Sequence, residues 1–280
     1  MYVIVGAGNF SYVHLNILSD LNVNDITILK KTLWHNDLKN QFINKYPSLN
    51  LKFENKISDY TDKIVHIVTP SNSHLAVLKK TENAQKVFVE KPSILFNKID
   101  DFLDSNNIKG QIYQNDWLSQ IQTYRINKNK PHKIIFKYDV KTKNNIDHIT
   151  EIWSHVLNLM SLWINPNFSI NINLLELTPQ TATLDAVIDN NLSVSIKTTN
   201  GKCENSQWSL IIDDEKFTSE YFKGKLLLAT ISDMINNKPA VTNWYKSAWI
   251  IHRFRSLMTT ELFMDYYEKY YITNGQYNND

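Results

Sequence analysis

A chain of 280 residues, 42% hydrophobic and 21% charged, has the composition of a globular protein with one large or two smaller domains. Its net charge of +2 leaves no electrostatic footprint for nucleic acid or an anionic membrane, and no block of like charge suggests an interaction tail. One cysteine, Cys203, rules out an internal disulfide and fits a reducing compartment, so a cytoplasmic location is expected.

The opening run, Met1-Tyr2-Val3-Ile4-Val5-Gly6, lacks a basic segment and reads as a core strand rather than a signal peptide. No apolar run approaches the ~20 residues of a membrane-spanning helix. The strand runs over Tyr2 to Val5, and Gly6-Ala7-Gly8-Asn9-Phe10-Ser11 follows it. A helical pattern then carries Val13, Leu15, Ile17, Leu18 and Leu21. Strand, glycine turn and helix in this order are the phosphate-binding start of a dinucleotide fold. Gly6 permits the tight turn, and Gly8 lets the backbone approach a pyrophosphate at the helix start. Ser11 stands at the third glycine position as a small-residue departure. The plainer reading is an ordinary βα turn.

The second strand, Ile26 to Leu29, ends at Lys30-Lys31-Thr32. An acid there would bind a ribose 2′-hydroxyl, but Asp25 precedes the strand. Two lysines and a threonine suit a 2′-phosphate, which points to NADP(H) with NAD(H) as the alternative. The competing reading is a solvated lysine pair. A helix over residues 36–46 stops at Pro47, and Phe53 marks the next short strand. The strand Ile64 to Val68 meets Thr69-Pro70-Ser71-Asn72-Ser73-His74, where Pro70 ends the ladder and Ser71, Asn72 or Ser73 can cap a helix. Thr69, Pro70 and Ser71 are placed over the dinucleotide. His74 either reaches the site or fixes the start of the helix.

Lys86 to Val89 forms a fifth strand and Glu90-Lys91-Pro92 closes it. That geometry lifts Lys91 off the carboxyl end of a strand, where ligands bind in parallel α/β sheets. A lysine there can hold a substrate oxygen and pass a proton; the plain alternative is a solvated lysine. A helix over 94–106 and a strand over 110–113 complete an alternation that predicts a doubly wound parallel sheet.

In order, Val5-Gly6-Ala7-Gly8-Asn9, Val68-Thr69-Pro70-Ser71-Asn72-Ser73-His74 and Val89-Glu90-Lys91-Pro92 resemble the glucose–fructose oxidoreductase / inositol dehydrogenase (Gfo/Idh/MocA) family. That family carries a glycine turn, an "ATPNxxH"-like loop and an "EKP" box at about these spacings. The likeness continues through Ile112 to Trp117, through the strand Pro131 to Phe136, and through Glu151 to Leu159, which is similar to a D-x-G-x-H-x-x-D-L helix. Asp116 stands where an arginine is common, Glu151 replaces an Asp, and Asn158 replaces another and cannot serve as a base.

The resemblance implies a Rossmann domain over 1–115 and a substrate-binding and oligomerisation domain over 116–280, built on an open, mostly antiparallel sheet. It implies Lys91 as general acid/base, His155 and Glu151 as its partners, and Glu90 as support. Gly6, Ala7, Gly8, Asn9, Phe10, Lys30, Lys31, Thr32, Thr69, Pro70, Ser71, His74, Glu90 and Lys91 would line the cofactor. Lys91, Trp117, Trp153 and His155 would meet the substrate. Trp117, Tyr124 and Trp153 suit a sugar ring, although core packing is the alternative for at least two of them. The activity implied is an NAD(P)-dependent hydride transfer to or from a hydroxyl, carbonyl or imine carbon of a sugar, sugar nucleotide or polyol.

Alternating residues in the second half predict strands, with a hairpin over 182–197 turning at Asp189-Asn190-Asn191 and another strand over 208–212. Helical stretches over 221–236 and 244–271 close the chain ahead of a polar tail. His148, Glu151 and His155 share a helix face but match no common ligand spacing, so no metal is expected. An open sheet face predicts a homodimer or homotetramer. The other functions considered are a regulatory or binding protein on a retained nucleotide fold, and a non-redox use of the cofactor.

Overall fold

The strands of the first half form where apolar, mostly β-branched runs are sealed on both faces, the pattern of a parallel sheet under helices. In a computed structural model these are β1 (Tyr2–Val5), β2 (Asp25–Leu29), β3 (Asn50–Glu54), β4 (Ile64–Ile67), β5 (Lys86–Val89) and β6 (Gln111–Gln114). The helices between them are α1 (Asn9–Asp20), α2 (Asn36–Lys45) and α3 (Ser71–Lys80). The structure describes residues 1–91, 111–140, 152–178, 180–201, 205–222 and 224–257. The expected helix over 94–106, together with Pro92, His148, Glu151, Cys203 and the tail, lies outside them.

All six strands run parallel in the order β3-β2-β1-β4-β5-β6. The chain reverses its winding between β1 and β4, and the carboxyl ends on either side of that point form the ligand crevice of a doubly wound fold. Every position of β4 and β5 is buried. Lys86 is buried at the head of β5 because its ammonium donates to the carbonyl of Met234 at 2.5 Å. That carbonyl closes the helix Lys225–Ile235, whose C-terminal end favours a cation.

The chain divides into two compact units, one of Met1–Asn115 with Leu227–Ala240 and one of Asp116–Leu226 with Val241–Asp280. The expected second domain over 116–280 is thus interrupted. Ile231 and Met234 are buried in the core of the first unit, and Tyr113 donates its hydroxyl to the carbonyl of Lys238 at 2.6 Å. An amphipathic helix does not announce in its own sequence which sheet it will cover.

In the second unit the strands are β7 (Lys133–Val140), β8 (Ile170–Leu177), β9 (Thr181–Ile188), β10 (Leu192–Asn200), β11 (Gln207–Ile212) and β12 (Glu215–Thr218). They form one mixed sheet, β12-β11-β7-β10-β9-β8, in which only the β7–β10 pairing is parallel. Alternation sends Ala182, Leu184, Ala186 and Ile188 of β9 inward, with Val194 and Ile196 of β10 beside them. The wholly buried helix Ser154–Met160 and the helix Trp244–Leu257, through Ile250 and Phe254, complete that core. The opposite face of β9 and β10 carries Thr181, Thr183, Asp185, Ser193, Ser195 and Lys197. The hairpin turn takes positive φ at Asp189 (49°) and Asn190 (58°), as short polar side chains allow.

Candidate active site

At the carboxyl end of β1 the backbone turns at Gly6 with φ +124°, a region that favours glycine. A Cβ added there would sit 3.0 Å from the backbone carbonyl of Val68, so a side chain would crowd the backbone that follows β4. Gly8 is the N-cap of α1, and nothing lies within 4 Å of where its Cβ would be. The start of α1 carries no side-chain cap and no acidic residue in its first turn. Asn9 and Phe10 are exposed on that turn and Ala7 is half-buried. Ser11 is fully buried and returns its hydroxyl to the Gly8 carbonyl, which shows how the turn accommodates a residue other than glycine there.

The end of β2 is held by Lys30, whose backbone N–H donates to Glu54 at 3.0 Å. The Lys30 ammonium lies 5.8 Å from the centre of the Trp34 ring, while Lys31 and Thr32 are exposed. After β4, Pro70 is the N-cap of α3 and Ser71 its first residue, with no side-chain cap. His74 is buried and donates Nε2–H to the Thr69 carbonyl at 2.7 Å, so it pins the start of the helix. The hydroxyl oxygen of Thr69 is buried and has no hydrogen-bond partner among the described residues.

Below Lys91 lies a buried polar string that the sequence did not suggest. Glu90 is 4% exposed. Its Oε1 accepts from His14 Nε2 of α1 at 2.7 Å, and its Oε2 accepts from the Asn115 amide at 2.6 Å. His14 Nδ1 in turn meets His66 Nδ1 of β4 at 2.9 Å. Burial works to raise the pKa of Glu90. The hydrogen bonds from His14 and the Asn115 amide, with the Lys91 charge, outweigh burial and hold the carboxyl below the usual glutamate range. Lys91 itself is half-buried. The polar residues His14 and His66 sit in otherwise apolar α1 and β4; that was the available signal.

In the second unit His155 is buried against Trp117, with ring centres 4.8 Å apart, and Trp117 lies 5.2 Å from Trp208. Trp153 is fully buried and donates its indole N–H to the Thr198 hydroxyl at 3.2 Å, so it is a core side chain and not a surface for substrate. Tyr124 is exposed and packs edge-on to Phe222. Asn158, one turn from His155, is buried. Asp116 is buried and accepts the Thr242 hydroxyl. Burial pushes its carboxyl up to about 6, against hydrogen bonds that work to lower it. Glu151 lies outside the described residues. Among the described residues no group of three or more His, Cys, Asp or Glu could hold a metal ion, and no helix is long and apolar enough to cross a membrane.

A strand order of 3-2-1-4-5-6, with a separate mixed sheet, defines a doubly wound α/β unit and a second, α+β unit. No family model matches the chain, and no curated protein matches it in sequence. Solved structures do match in fold. UDP-N-acetylglucosamine 3-dehydrogenase from Acidithiobacillus ferrooxidans is similar with a TM-score of 0.67 at 13% identity, over 94% of this chain and 98% of its own. Myo-inositol dehydrogenase from Lactobacillus casei, in complex with NAD(H) and myo-inositol, gives 0.66 at 13% identity, over 93% of this chain and 95% of its own. A myo-inositol dehydrogenase from Corynebacterium glutamicum gives 0.66 at 8% identity, over 92% and 95%. At such identities the likeness establishes the fold, a parallel α/β sheet followed by a mixed sheet.

Proposed function

We propose that the chain is a nicotinamide-dependent oxidoreductase acting on a sugar, sugar nucleotide or related polyol, and that it prefers NADP(H). The observation that carries the reading is Lys91 at the carboxyl end of β5, in the same sheet whose β1 ends in the Gly6–Gly8 turn. The site residues fit a dinucleotide. Gly8 leaves open space at an uncapped helix start, and the buried Thr69 hydroxyl lacks a partner among the described residues. Gly6, Ala7, Gly8, Asn9 and Phe10 would hold the pyrophosphate, Lys30, Lys31 and Thr32 the ribose end, and Thr69, Pro70 and Ser71 the opposite wall. When bound, the nicotinamide supplies or accepts a hydride.

Oxidation of a CH–OH group removes a hydride from carbon and a proton from oxygen. Lys91 as the free amine takes that proton, and as the ammonium returns it in the reverse direction. Its charge also stabilises a developing alkoxide. Glu90 supports Lys91 from behind the strand end. Trp117 and His155, in contact with one another, are the proposed contacts to the sugar ring, and Glu151 the proposed supporting carboxylate. Pairing of chains through the outer face of the second sheet and a cytoplasmic location complete the reading.

Fluorescence titration with NADPH and NADH, followed by turnover on a panel of keto-sugars, tests it. Binding of NADPH with turnover is the expected result. Binding without turnover on any substrate would instead favour a regulatory protein, and tighter NADH binding would refute the roles of Lys30 and Lys31.

A further inference from the structure

We propose that His66 fixes His14 as a neutral hydrogen-bond donor to Glu90, so that the Glu90 carboxylate keeps its full charge for Lys91 and favours the ammonium, the form that returns the proton in the reductive direction. His14 and His66 are then positioning residues. The assignment rests on the oxidoreductase reading only for the use made of Lys91.

The proton count starts at Glu90. An ionised carboxylate only accepts, so His14 Nε2, at 2.7 Å, carries a hydrogen. The two Nδ1 atoms at 2.9 Å share a single proton between them. His66 Nε2 decides its owner. That atom is buried and has no partner among the described residues. If His66 accepted at Nδ1, its hydrogen would sit on Nε2 as a buried donor with nothing to meet, the costlier kind of orphan. A hydrogen on Nδ1 leaves only an unshared pair at Nε2. His66 therefore points its proton at His14, and His14 receives it at Nδ1. Burial keeps the pKa of His66 well below the usual histidine range, so His66 takes no second proton.

The groups facing Glu90 are His14 from α1, the Asn115 amide beyond β6, and Lys91 next in the chain; His66 of β4 stands one step behind His14. Of these only Lys91 then carries a positive charge. Phe88 packs edge-on to His14 at 5.1 Å and stacks on His66 at 5.7 Å, and His14, His66 and Glu90 are all buried.

The test reads Lys91 directly. The full chain is labelled with acetic anhydride across the pH range, and the Lys91 peptide is followed by mass spectrometry to give its titration midpoint. Glu90→Gln should lower that midpoint by about one unit or more, because a negative neighbour favours the ammonium. His14→Gln keeps an N–H donor that cannot become a cation, so the midpoint should stay within about 0.3 units of the parent, well inside such a shift. His66→Leu should make His14 titrate between about pH 5 and 8 in its imidazole NMR signals, while the Lys91 midpoint stays near the parent because lysines titrate above that range. His66→Asn, which restores an N–H at that position, should silence the His14 titration again. An unmoved midpoint in a folded Glu90→Gln protein overturns the proposal, as does a His66→Leu protein in which His14 stays silent. NADPH titration of the same proteins stands apart. A midpoint shift without dinucleotide binding keeps this inference and removes the oxidoreductase reading, and binding without a shift does the reverse.

Discussion

The two units bury different kinds of polar contact. The first connects ionisable side chains, in one string from His66 through His14 and Glu90 to Asn115, ending beside Lys91. The second buries groups against hydroxyls, such as Asp116 with Thr242, Trp153 with Thr198, and Ser161 with Ser247. A string of ionisable groups tunes a charge, because a change at one end is felt at the other. A hydroxyl partner satisfies what burial demands.

The largest effect should come from the end of the string. Lys91→Ala is expected to cut turnover by about 10²- to 10⁴-fold while NADPH affinity changes little, in steady-state kinetics beside a fluorescence titration. Equal loss of binding and turnover would reduce Lys91 to a cofactor contact and break the contrast. Trp153→Ala tests the other side of it. Emptying this fully buried site should cost about 3–5 kcal/mol in urea unfolding. A loss under ~1 kcal/mol would mean that Trp153 is not core, since core truncations of this size cost several times that.

Asp116 sharpens the comparison through pH. Its carboxyl is raised from 3.8 to about 6 in the folded protein, so the native state holds a proton that the unfolded chain has released. Stability from this group is highest below about pH 4 and falls as pH rises towards 6, then stays level. Asp116→Asn should remove that slope and raise stability by about 2–3 kcal/mol above pH 6, read from denaturant midpoints at several pH values. A retained slope would show that the burial of Asp116 is not what strains it. The smallest effect is expected at the end of β2, where Lys30→Ala with Lys31→Ala should weaken NADPH against NADH by about tenfold, or ~1.4 kcal/mol.

The first sheet was legible because its signals are local. Gly6 next to a strand, Pro70 after another and Lys91 before Pro92 each act on the residues beside them, and the doubly wound parallel arrangement follows from alternation with helices. The hairpin of β9 and β10 was legible for the same reason, through its alternation and its Asp189-Asn190 turn. The order of the second sheet was not, because β7 pairs with β10 across some sixty residues, so no local pattern names the partner. The string behind Lys91 was hidden likewise. His14 finds partners 52 and 76 residues away, and a lone histidine in an apolar helix looks like any packed side chain until those partners are placed. Trp153 misled in the other direction, since an indole that stacks on sugars and one that fills a core are the same residue.

The return of Leu227–Ala240 to the first unit has a consequence for how the chain is made. Ile231 and Met234 close a core that begins with Ile4, and the Met234 carbonyl is what receives the buried Lys86 ammonium. On a ribosome, residues 1–115 emerge with their parallel strands but without that helix, and domains otherwise fold in the order they emerge. The core of the first unit is therefore completed only once Ala240 has left the exit tunnel, by which time most of the second unit has already been synthesised.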